Sequence, residues 1–216
     1  MIRVTPEDPA VDRDAVNGSK RAVAWAGIEQ MNEAIPRLEL ADMRADLATH
    51  LEPRVKRLGY LGELFKCAAH APDVLLHFMR FTEALKEALP DRLTEVGALT
   101  VAGLMRNDYE RNQHERLAVR LGFDRAWVAE VNRLRPEEAR LLSDAERAVQ
   151  RYAIAAIETG GRNASEPFAV LARLLSPAEV IAVVLLVGRY VAHALAVNTL
   201  NLAPPVPSIF EDRFDG

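Results

Sequence analysis

Apolar residues recur along this chain at three- and four-residue intervals, and no stretch of useful length alternates residue by residue. That pattern predicts helices throughout and no sheet. A first helix is expected over Ser19–Glu33, closed by Pro36. A second covers Leu38–His50, and Leu51–Gly59 gives a weaker signal. Tyr60–Ala69 places Leu61, Leu64, Phe65 and Ala68 on one face. Pro72 then opens a strong helix whose broad apolar face includes Leu75, Leu76, Met79 and Leu85. Leu93–Leu104 is apolar and helical, and the polar run Arg106, Asn107, Asp108 interrupts it. Tyr109–Leu121 follows, with Gly122 as the stop. A short helix capped by Asp124 runs to Leu134. Ser143 with Glu146, and Ser176 with Glu179, form two capping boxes that open further helices. Ser165–Leu175 lies between them.

One segment needs a different test. Val180–Leu202 is long and mostly apolar, but Arg189 and His193 sit at its centre, where lipid would exact a high cost. It is expected to be a core or interface helix, and no membrane partner is expected. The tail APPVPSIFEDRFDG is proline-rich and acidic, and is expected to be an arm on the surface or on a partner chain. With no linker or internal repeat in view, the expectation is one all-α domain over 1–216. Its core spans about 54–202, with an N-terminal arm at 1–18 and a C-terminal tail at 203–216.

Composition narrows the function classes. The chain has 216 residues, a net charge of −4 and no lysine or arginine block, which argues against a nucleic-acid surface. The first fifty residues show no clear basic helix-turn-helix, which argues against a transcription regulator. The single cysteine, Cys67, excludes an intramolecular disulfide and fits a small buried hydrophobe. The N-terminus MIRVTPEDPAVDRD lacks the apolar core of a secretory signal, so a cytoplasmic location is expected.

Candidate chemistry centres on NDYERNQHERLAVRLGF, residues 107–123. Glu110 and His114 are four residues apart and share a helix face. By spacing alone this is first a surface pair. Glu95 changes that reading, because it lies within the apolar stretch LTEVGALTVAGLM and is costly to bury unpaired. On one continuous helix Glu95 and His114 would stand about 28 Å apart. A turn at Arg106–Asp108 instead brings them to similar heights, since Glu95 lies eleven residues before Arg106 and His114 eight after. A carboxylate facing an imidazole in a partly dry pocket is a proton-transfer device. A metal site built on Glu95, Glu110 and His114 has thin support, with one histidine and no HExxH-like spacing. On the terminal helix Arg189 and His193 are one turn apart with Tyr190 between them, as core, interface or site-lining groups.

The stretch LTEVGALTVAGLMRNDYERNQHERLAVRLGF resembles the carboxymuconolactone decarboxylase family, which has the AhpD-like (alkylhydroperoxidase) all-helical fold. YLGELFKCAAHAPDVLLHFMRFTEALKEALP looks like the family's lead-in. LSDAERAVQRYAIAAIETG and a later helix carrying RYVAHALAV look like its continuation. The resemblance spans roughly Arg54–Leu202. It implies an AhpD-like helical bundle and a homo-oligomer. Together with the spacing, it makes Glu95, Glu110 and His114 the expected catalytic residues and Tyr109 an expected contact to a small-molecule substrate; Tyr190 and His193, if they line the site, are expected to bind that substrate too. Peroxidase members carry Cys-x-x-Cys ahead of the histidine, whereas this chain has Asn107 and Glu110 there. The resemblance is therefore to the branch without thiols, with no peroxidase activity expected. The expected chemistry is cofactor-free decarboxylation or proton transfer on a small carboxylate or lactone. The alternative is a non-catalytic binding or structural homologue on the same scaffold.

Overall fold

A computed structural model describes residues 35–212 and 214. The expected helix Ser19–Glu33 and the N-terminal arm lie outside the described residues. Leu38–Gly216 makes up one compact unit. Among the described residues there are nine α-helices and no strand: α1 (Ala45–Leu58), α2 (Glu63–Ala68), α3 (Pro72–Ala88), α4 (Asp91–Leu104), α5 (Asp108–Arg120), α6 (Arg125–Asn132), α7 (Asp144–Thr159), α8 (Ser165–Leu174) and α9 (Pro177–Thr199). The protein is all-α, as the periodicity predicts.

Helix α4 is the axis of the bundle. Every residue from Leu93 to Ala102 is buried, because α5, α6, α7 and α9 pack around it. Such a helix has no polar face, so its few polar groups must find partners inside. Gly97 permits the close approach of α9, since a Cβ there would lie 2.8 Å from Leu186 Cδ2. A smaller apolar cluster, including Leu47, Leu51, Leu75, Leu76 and Met79, joins α1 to α3. Both capping boxes form, at Ser143–Glu146 and Ser176–Glu179.

The first helices differ from the sequence reading. Leu38–Arg44 holds only a short 3-10 turn at Leu40–Asp42. One α-helix, not two, then runs from Ala45 through Pro53 to Gly59, whose φ of 80° ends it. Pro53 removes one backbone hydrogen bond, but burial of Leu47 and Leu51 on the same face outweighs that loss.

The C-terminal tail also differs, for it folds into its own chain. Ile209 is fully buried in the main core. Glu115 on α5, 1% exposed, accepts hydrogen bonds from Ser208 Oγ (2.6 Å), Ile209 N (3.1 Å) and Asn132 Nδ2 (2.7 Å). Glu115→Ala leaves these buried donors unsatisfied. It is expected to cost about 2 kcal/mol of stability and to open the tail to limited proteolysis near Ser208, which mass mapping of the fragments checks.

Candidate functional site

The site is made by the turn between α4 and α5. Arg106 adopts φ 52°, and the N–H groups of Asn107 and Arg106 reach back to the carbonyls of Ala102 (2.8 Å) and Gly103 (3.2 Å). This Schellman closure ends α4 on a left-handed residue other than glycine. Asn107 then caps α5, its side chain accepting from Glu110 N at 3.2 Å. The turn folds α5 back along α4 and sets His114 against Glu95.

Glu95 Oε2 lies 2.7 Å from His114 Nδ1, and the carboxylate is 2% exposed. The opposite ring nitrogen, Nε2, lies 3.1 Å from the Tyr190 hydroxyl and 3.3 Å from Glu110 Oε2. Glu110 also reaches His193 Nε2 at 3.3 Å and Arg189 Nη1 at 3.6 Å. Arg189 donates from Nε to Thr82 Oγ1 at 2.8 Å, and its guanidinium stacks between the rings of Phe78 and Tyr190. Helices α3, α4, α5 and α9 therefore meet at one cluster. His114, Glu110, Tyr190, His193 and Tyr109 line a cavity of about 360 Å³, within the range of small-molecule sites. Glu95 is not among the lining residues. It stands behind His114 and grips the nitrogen that faces away from the cavity.

The electrostatics divide the two histidines. Burial opposes a charge on His114, but Glu95 and Glu110 outweigh it and push its pKa up to about 9. Burial also opposes ionisation of Glu110. The surrounding His193, His114 and Arg189 outweigh that and hold its carboxyl well below the usual range. His193 goes the other way, with burial lowering it to about 4. At neutral pH His114 is then a cation and His193 is neutral. His193 Nδ1 is buried without a hydrogen-bond partner. Burial raises the Tyr190 phenol, which stays protonated. With His114 donating to its oxygen, the phenolic hydrogen is left for a group in the cavity.

All six residues singled out from the sequence meet here. Tyr109 contributes least to the polar cluster. Its hydroxyl accepts from Leu64 N at 3.4 Å, and its ring lies 6.2 Å from that of His193. Sequence reasoning missed Thr82, Arg54 and Lys86, which line the same cavity from α3, α1 and α3. A polar Thr82 within an apolar helix face was the one local sign. Among the described residues no group of three or more His, Cys, Asp or Glu is arranged to hold a metal ion.

The arrangement of helices has known counterparts. The apo debrominase Bmp8 superposes with a TM-score of 0.71 at 18% identity, over 82% of this chain and 94% of that one. An alkylhydroperoxidase AhpD core, an uncharacterised peroxidase-related protein from Ralstonia eutropha JMP134, gives 0.66 at 17% identity, over 83% and 93%. A protein of unknown function from Agrobacterium tumefaciens, a putative antioxidant defence protein AhpD, gives 0.58 at 17% identity, over 65% and 96%. No curated protein matches the sequence. At these identities the likeness is one of fold, and the fold is AhpD-like. Residues 72–155, which hold α3 to α6 and most of α7, match the carboxymuconolactone decarboxylase family. Over that segment the chain is similar to the family.

Proposed function

We propose that the protein catalyses cofactor-free proton transfer, with decarboxylation as the leading reaction, on a small carboxylate or lactone. The observation that carries this reading is the 2.7 Å contact between Glu95 and His114 Nδ1, with Nε2 turned to the cavity. Loss of carbon dioxide breaks a carbon–carbon bond and leaves its electron pair on the substrate as a carbanion or enolate. His114 Nε2–H delivers its proton to that carbon. The neutral imidazole that remains keeps its hydrogen on Nδ1, toward Glu95, and regains the lost proton from water. The Tyr190 hydroxyl donates to the developing enolate oxygen. Glu110 steadies the imidazolium, while His193 and Tyr109 shape the pocket around the substrate.

Names among the structural neighbours raise thiol chemistry. This chain has Asn107 and Glu110 where peroxidase members carry cysteines, and Cys67 is buried, so a thiolate nucleophile is lacking. The exposed stripe Ile181, Leu185 and Leu195 on α9 supports assembly with further copies of the chain.

The test is a panel of β-keto acids and carboxylated lactones assayed for carbon dioxide release and for deuterium uptake from heavy water. The wild type is expected to turn over at least one member. Equal turnover by a Glu95→Gln, His114→Ala double variant contradicts the mechanism. Absence of all turnover favours a non-catalytic homologue on this scaffold.

A further inference from the structure

The charges around the cavity do not balance. Glu95 and Glu110 offset the His114 imidazolium and the Arg189 guanidinium, two against two. Arg54 on α1 and Lys86 on α3 line the same cavity and are extra. Among the described residues neither makes an ion pair or hydrogen bond. Arg54 only stacks on the Phe65 ring, its guanidinium carbon 5.0 Å from the centroid. Both groups are partly withdrawn from water. Burial is the main cause lowering the basicity of each, and Arg54 lowers Lys86 further. Arg57 and Arg120 also line the cavity, as does Arg116, but Arg116 is engaged by Asp212. Glu95 and Glu110 favour the charge on Lys86, and Glu110 and Glu83 that on Arg54, but none of them is in ion-pair contact with either group. Two desolvated cations on one cavity wall with no contacting carboxylate favour an anion that joins them.

We propose that Arg54 and Lys86 form an anion-binding subsite that holds a second, non-reacting oxoanionic group of the ligand and so sets specificity for its charge. The proposal rests on the proton-transfer reading for what happens at the other end of the cavity, but the binding it describes does not need turnover. The planar guanidinium suits bidentate contact with a carboxylate, and the lysine adds a point charge beside it. Arg54 sits on α1, outside the segment 72–155 that matches the family. The guanidinium half of the subsite is therefore supplied by the lead-in helix, and the ammonium half by α3 within that segment.

Calorimetric titration of the full chain with succinate, and with uncharged succinamide as control, tests this. The wild type is expected to bind succinate and not succinamide. Arg54→Gln with Lys86→Met should weaken succinate binding by at least about tenfold. The charge-keeping pair Arg54→Lys with Lys86→Arg should recover most of it, and circular dichroism confirms that each variant is folded. His114→Asn should still bind succinate. If that holds while no compound is turned over, proton transfer fails and the subsite stands. Equal affinity for succinamide, no succinate binding by the wild type, or unchanged binding by the Arg54→Gln, Lys86→Met variant overturns the subsite.

Discussion

Replacing His114 by asparagine is expected to lower turnover of any substrate found by about 10²–10⁴-fold. Asparagine can still donate a hydrogen bond to Glu95, so the change removes the transferable proton more than the packing. Most of the loss should appear in kcat, because the imidazole acts on the reacting carbon and not on binding alone. Glu95→Gln is the companion variant. Glutamine keeps a hydrogen bond to Nδ1 but no longer supports the positive charge on the ring. The imidazole pKa, pushed up to about 9 in the wild type, should fall. The alkaline limb of the kcat/KM profile should then move toward lower pH. A profile that stays in place while the rate drops contradicts the orienting role given to Glu95.

The second large effect is on stability. Glu95 lies 2% exposed on the most buried helix of the bundle. Glu95→Ala leaves the His114 cation without its closest partner. The expected loss is about 3–5 kcal/mol near neutral pH, limited by release of the imidazole proton. The pH dependence gives the cause. His114 has a folded pKa above its unfolded value, so its contribution is complete below about pH 6.5 and fades as the pH rises through about 9. That shift corresponds to about 3 kcal/mol. His193 is depressed to about 4, so its contribution is present above pH 6.5 and is lost as the pH falls toward 4. Urea unfolding at pH 5, 7 and 9.5 should show both flanks in the wild type. In Glu95→Gln the alkaline decline should shrink while the acid one stays.

Much of this site could be read from the sequence, for local reasons. A carboxylate in LTEVGALTVAGLM demanded a partner, and the polar run at Arg106–Asp108 gave a turn that could supply one. Spacing did the rest, setting Glu95 and His114 at matching heights. The terminal helix announced Arg189, Tyr190 and His193 through their cost within an apolar run, and the bundle turns all three toward Glu110 and His114. What escaped was non-local. Arg54 and Lys86 look like ordinary surface charges on amphipathic helices, and only the packing of α1 and α3 brings them to the cavity. The tail looked like a free arm because Ser208 and Ile209 meet Glu115 across more than ninety residues. The α1 boundary was misplaced because Pro53 signals a break that the burial of Leu47 and Leu51 overrides.

The most direct test of the central claim is a ¹⁵N-imidazole NMR titration of the wild type, with His114 assigned through His114→Asn. A titration near pH 9, with Nδ1 protonated throughout, is the result this account requires. A His114 that titrates near 6.5, as a free imidazole does, contradicts it, because the Glu95 contact then neither charges nor orients the proton donor.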